Sequence, residues 1–247
     1  MRDVIAAEWL KTRSLRSTRW TVGLTALGVT GATAVSAYTK DPGAEFELSD
    51  AFPLAGFYVL IVVAVSSGAS TMLGEYSSGL IRATSVAVPA RAQLVLAKAV
   101  VAAALWAVAG AVMAGTSFAV AALILDDVTL SRPGTGTALL AAVLIGPVCA
   151  LIGLSLAVLV RHSGAVYVCG ILLLALAPQL FPTSHTLPRA INHAMLFPAW
   201  QRLTQAYGTP EAVGDVYTTA TQAWLAYVMW PLTLLVAAVF VHRRRDV

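Results

Sequence analysis

The sequence predicts an all-α membrane protein, a single transmembrane domain over residues 1–247 with six transmembrane helices. Three observations carry that reading. First, 58% of the residues are hydrophobic, only 11% are charged, and the mean hydropathy is +0.79. A soluble domain is about 25% charged, so this chain has too little charge to coat a water-soluble globule. Intrinsic disorder, which needs low hydrophobicity and high charge, is excluded as well. Second, six segments are apolar and long enough to cross a bilayer core about 30 Å thick, which takes about 20 helical residues. Third, with the N-terminus inside, twelve of the sixteen Lys and Arg fall on the inner side, and eight of the twelve Asp and Glu fall on the outer side. This positive-inside pattern puts both termini in the cytoplasm. It accounts for the net charge of +4 without a nucleic-acid partner.

Residues 1–19 read as a helix lying at the inner membrane surface. Ile5 and Trp9 are one turn apart, but Lys11 falls near Val4, so the amphipathic pattern is imperfect. Trp9 and Trp20 suit the interfacial layer, and Lys11, Arg13 and Arg16 suit anionic lipid heads. A plain topological anchor fits the same residues. The first span is 20–38. Its basic approach and Val35-Ser36-Ala37 resemble a signal peptide, but the apolar run exceeds the roughly 7–15 residues of such a segment, so it is read as retained.

The second span is 52–73. The segment after it runs from Glu75 and Tyr76 through Gly79, Leu80, Ile81, Arg82 and Thr84 to Pro89 and Arg91. Leu80, Ile81 and Thr84 have helical spacing, and Pro89 stops any helix before it. A short amphipathic docking helix and a solvated loop both fit. The third span, 97–125, is long enough to tilt or project. The fourth, 136–160, contains Pro147 and is followed by Arg161 and His162. The fifth, 164–180, is short. The outer segment 181–219 carries two helical faces, Leu187/Ile191/Ala194/Met195 and Trp200/Leu203/Thr204/Tyr207. They predict two short helices half-sunk at the outer surface, with simple interfacial anchoring by Trp200 and Tyr207 as the plainer reading. The sixth span, 220–241, contains Pro231.

No catalytic or metal site is expected. There is no G-x-x-x-x-G-K-[ST] run to hold ATP. His185 and His193 share a loop without Cys or carboxylate partners. Ser155 and His162 lie about 10 Å apart along a helix axis, too far for a nucleophile and its base. Cys149 and Cys169 fall inside spans and read as small apolar residues. No charged residue sits at mid-span, which weakens an ion-driven carrier reading. The span glycines read as general packing residues.

Four pieces, collinear along the chain, carry a resemblance. The opening Ala7-Glu8-Trp9-Leu10-Lys11-Thr12-Arg13-Ser14-Leu15-Arg16 resembles the start of many actinobacterial ABC transporter permeases of the ABC-2 type. Glu75 to Thr84, with Val88-Pro89 and Arg91 after it, looks like their first cytoplasmic coupling segment, and it is the most specific of the four. Leu159-Val160-Arg161-His162-Ser163-Gly164 is similar to their second inner loop, and Val241-His242-Arg243-Arg244-Arg245-Asp246 to their tails. The resemblance implies a plasma-membrane permease that pairs with a second copy or a paralogue. A separate cytoplasmic ATPase subunit would hold ATP and Mg, while this chain binds no cofactor and is not an enzyme. Glu75, Tyr76, Gly79, Leu80, Ile81, Arg82, Thr84, Pro89 and Arg91 would form the ATPase contact, Arg161 and His162 a minor one. The helices around Trp200, Leu203 and Tyr207 would cap the exit. The implied function is efflux of a hydrophobic or amphipathic solute. The rival is a six-span membrane protein of another class, an ion-coupled carrier or a structural subunit.

Overall fold

The computed structural model describes residues 1–40, 46–79, 91–125, 133–181, 186–205 and 218–244, with the Arg91 side chain left out. The described residues form helices, without a strand. Six are long and apolar enough to cross a membrane, so the chain is an all-α, six-span membrane protein.

Helix α1, Arg2–Ser14, is not continuous with the first span and does not reach residue 19. Leu15 is extended (φ −73°, ψ 118°), and α2 starts at Arg16 and runs to Tyr38. Local hydrogen bonds close the end of α1: the Ser14 hydroxyl donates to the Lys11 carbonyl, and Arg19 donates to that of Arg13. Arg16 therefore belongs to the first turn of the span, not to the interfacial helix. No residue of α1 is buried. In α2 only 17% of the spanning window is buried, and Thr25, Thr30 and Thr33 donate to carbonyls four residues back.

A short helix α3, Leu48–Ala51, precedes the second span and is closed by a reciprocal Glu47/Asp50 capping box. The Asp50 carboxylate also takes Lys40. Helix α4, Leu54–Ser78, runs five residues past the expected end of the span, because Glu75 is neutralised inside the bundle. Gly79 ends it with a positive φ of 69°, a conformation glycine adopts at no steric cost. Helix α5, Arg91–Ile124, starts six residues earlier than expected. At 34 residues and about 1.5 Å each it overreaches the bilayer core.

Helix α6, Thr135–Val160, is the hub: α4, α5 and the last span all pack on it, and 67% of its window is buried. Two close approaches define its seat. A Cβ on Gly68 would come within 1.9 Å of the Ala150 carbonyl oxygen, and one on Gly153 within 2.1 Å of that of Val65. The backbones of α4 and α6 thus meet through two glycines, which sharpens the general packing role read from sequence. Pro147 has no N–H for the carbonyl of Val143, four residues back. That carbonyl faces Gly110 of α5, where a Cβ would lie 2.5 Å from it.

The fifth span is composite: α7 (Ser163–Ile171), a π-turn (Leu172–Leu176) and α8 (Ala177–Leu180). Pro178 supplies the reason, since it cannot donate to Leu174 and its ring crowds that carbonyl. The Ala177 N–H bonds instead to Leu172, five residues back. Helices α9 (Thr186–His193) and α10 (Leu196–Leu203) overlap the two predicted amphipathic faces but end before Ala194 and Met195 in the first and before Thr204 in the second. Only α9 is a surface helix. Trp200 and Leu203 are each 3% exposed, so α10 is a core element, not half-sunk. Its apolar face meets an aromatic group on α4, with the Trp200 and Phe57 ring centres 4.2 Å apart. Tyr207 lies outside the described residues. Helix α11, Ala220–Arg244, opens with a reciprocal Thr219/Gln222 cap and carries the sixth span.

Candidate functional site

The charged residues of the spans collect at the end of the bundle that holds the N-terminus. Helix α1 lies against the start of α5 and the end of α4 there. Its Glu8 and Lys11, three residues apart, share a face. Glu8 accepts from Lys98 of α5 at 2.8 Å, Lys98 donates to Glu75 Oε1 of α4 at 2.7 Å, and Lys11 donates to that same oxygen at 2.5 Å. The result is an alternating chain, Glu8–Lys98–Glu75–Lys11, that crosses three helices.

Burial is what gives this chain its weight. Glu75 and Lys98 are each 2% exposed. Neither charge is tolerable there alone, because removing one partner of a buried pair costs about 3–5 kcal/mol. The second Glu75 oxygen, Oε2, is buried without a hydrogen-bond partner. A buried acceptor left idle costs about 1–3 kcal/mol. Lys11 is the loose end, its side chain 41% exposed. Burial pulls its pKa down, but the hydrogen bond and charge of Glu75, aided by Glu8, outweigh this and hold it above the ordinary 10.5. Since no residue of α1 is buried, these ion pairs are its main specific hold on the bundle.

Beside the chain lies a cavity of about 720 Å³ between α1, α2, α4 and α5. Helix α4 lines it with a polar stripe at helical spacing: Ser67, Ser70, Thr71, Gly74, Glu75 and Ser78. Glu8, Lys11, Thr12 and Leu15 of α1 form one wall, and Trp106 of α5 another. The Trp106 indole N–H donates to Ser67 at 3.3 Å. The rest of the lining is mixed: Ser17, Thr18 and Thr21 of α2, Lys98 of α5 and Tyr167 of α7 are polar, and Val62, Val101 and Leu105 form an apolar strip.

The structure distributes the residues singled out from sequence unevenly. Glu75 faces inward, 2% exposed, and its carboxylate is engaged by Lys11 and Lys98 of this chain. The Tyr76 ring lies under the Arg161 guanidinium at 5.1 Å, which joins the ends of α4 and α6. Arg161 is the α6 C-cap, with φ 58°. His162 caps α7, its Nδ1 accepting from the Ala165 N–H at 3.3 Å. Gly79 ends α4 and Arg91 begins α5, whereas Leu80, Ile81, Arg82, Thr84 and Pro89 lie outside the described residues. Trp9, Trp20, Arg13 and Arg16 are exposed at this end, but Lys11 belongs to the ion chain. Ser155 donates to the Leu151 carbonyl at 2.7 Å and is fully buried among apolar residues. Sequence reading missed Glu8 and Lys98 as partners of Glu75 and did not single out the hydroxyl stripe. The stripe's i, i+3, i+4 spacing was the available signal.

Compared with protein-family models and with curated proteins, the chain matches none.

Proposed function

We propose that the chain is the membrane-spanning permease subunit of an ABC-type exporter of the plasma membrane, with both termini in the cytoplasm. It works with a second copy or a paralogue and with a cytoplasmic ATPase subunit. ATP and Mg are held by that partner, and this chain does no chemistry of its own. Its cargo is a hydrophobic or amphipathic solute.

The observation that carries the reading is the bracing of the coupling-like segment. Glu75, at the start of the run that resembles an ATPase-docking element, is tied to α1 and α5 by buried charges. A push on residues 80–90 therefore reaches two spans and the N-terminal helix as one unit. Arg161 over Tyr76 extends the same brace to the hub helix α6. The basic residues around this end support a cytoplasmic orientation.

Purification of the tagged chain from its native membrane, with identification of any co-purifying P-loop ATPase, tests the assignment. A stoichiometric complex and ATP-dependent efflux are expected. Replacing Leu80, Ile81 and Arg82 together with alanine should abolish coupling, and unchanged ATPase association and transport would sink the assignment. The polar cavity beside a buried Glu–Lys pair favours a second reading, a self-sufficient carrier. A stable lone chain that transports without an ATPase would establish it.

A further inference from the structure

The α4 wall of the cavity has a chemical bias. Of the cavity's hydroxyls, Thr12, Ser70, Thr71 and Ser78 already donate to carbonyls of their own helices, at 2.7–2.8 Å. Their protons are spent and only oxygen lone pairs remain for a guest. Ser67 differs from these, since it accepts from the Trp106 indole N–H and keeps its own proton. Glu75, on the same wall, gives its Oε1 to Lys11 and Lys98, while its Oε2 is buried. A carboxylate or phosphate against this wall would meet acceptors where it needs donors, and the two ammonium groups that line the cavity, Lys11 and Lys98, are already paired with Glu75 and Glu8. A group rich in N–H donors and positively charged meets what it needs. The volume of about 720 Å³ lies within the range of small-molecule sites, and the Val62, Val101 and Leu105 side suits a hydrocarbon portion.

We infer that this cavity receives the primary ammonium group of an amphipathic amine, which takes the place of Lys11 on Glu75 and so releases α1 from the bundle. The exchange is between like ions. Glu75 keeps Lys98 and trades one ammonium for another, while Lys11, already 41% exposed, moves into water. Helix α1 then has only the Glu8–Lys98 contact among these ion pairs, no buried residue to hold it, and an extended residue, Leu15, to turn on. Because Thr12 and Leu15 form part of the wall, its release also opens that wall. The inference rests on the transport reading for what then becomes of the solute; the binding step stands without it. The same ammonium chemistry is offered by a free amine and by a phosphatidylethanolamine headgroup.

The test uses the full chain alone in phosphatidylcholine nanodiscs, without an ATPase, so its failure is separate from failure of the exporter assignment. The probe is dodecylamine, with neutral N-dodecylacetamide as control. The readouts are tryptophan emission and tryptic cleavage after Arg13 and Arg16. Dodecylamine should bind saturably, at least tenfold more tightly than the amide, and should accelerate cleavage. Glu75→Gln should lose at least tenfold in affinity, and Lys11→Gln should gain severalfold by removing the competitor. Should Glu75→Gln fail to fold, Lys11→Gln and Ser70→Val, which removes one acceptor, carry the comparison. Equal binding of amine and amide, or indifference to Lys11→Gln, would overturn the inference. In nanodiscs containing phosphatidylethanolamine, a weaker apparent affinity with α1 already cleavable supports the headgroup as occupant. An unchanged affinity supports a free amine.

Discussion

The contact between α4 and α6 makes a quantitative prediction for Gly68→Ala and Gly153→Ala. The new methyl would lie 1.9 Å from the Ala150 oxygen in one case and 2.1 Å from the Val65 oxygen in the other, short of ordinary contact at 3.4 Å by about 1.3–1.5 Å. The obstructing atoms are backbone, so no side chain can turn aside and the helices must part. Overpacking of this kind costs about 2–3 kcal/mol. Gly115→Ala is the matched control: nothing lies within 4 Å of its added carbon, and alanine in a helix gains up to about 1 kcal/mol over glycine. At about 2–4 °C per kcal/mol for a chain of this size, the two close-contact variants should melt about 4–12 °C lower and the control about 2–4 °C higher. One separation of the helices accommodates both methyls. The double variant should therefore cost no more than about 1 kcal/mol beyond the worse single, well short of additivity. The assay follows Cys149, fully buried beside Ala150, with a thiol-reactive dye during heating, in a Cys169→Ser background because Cys169 is exposed. Shifts of the same sign and size for Gly68→Ala and Gly115→Ala, or an additive double variant, would refute the argument.

Two further predictions concern the ion chain. Lys98→Met leaves the buried Glu75 with the half-exposed Lys11 alone and Glu8 without its partner, at a cost of up to about 3–5 kcal/mol, and should sharply lower the yield of monodisperse protein. Adding Glu8→Gln and Glu75→Gln should restore much of it, by size-exclusion profile. Lys11 has a raised pKa, so its contribution is complete below the unfolded value near 10.5 and is lost as pH rises through the higher folded value. Docking of α1, read by Trp9 emission in a variant lacking the other tryptophans, should hold constant from pH 6 to about 10 and weaken only above that.

The six spans were legible because length and hydropathy are properties of local sequence, and their number and order stand. The errors share one cause. Hydropathy stops the second span at residue 73 because Glu75 reads as a charge that must face water. Its neutralising partners lie 23 and 64 residues away along the chain, and no window of 20 residues contains them. Trp200 and Leu203 show a clean amphipathic face, but a face says only that something apolar covers it. Whether that is lipid or the Phe57 ring is decided by tertiary packing. The hydroxyl stripe of α4 was fully visible as a pattern, yet within a span serines and threonines commonly bond their own carbonyls, which hid the cavity they line.

The sparse cover of α2 has a consequence for how the molecule is made. Synthesis delivers this helix to the bilayer before the other five described spans, and it is the least apolar of the six windows. Its threonines bond to carbonyls of their own helix, so their hydroxyl protons are satisfied before any partner arrives. Helix α6 emerges fourth, when three helices await it, and ends with the most protein around it. The chain thus lays down its most self-sufficient helix first and seats its central post only once there is a wall to set it against.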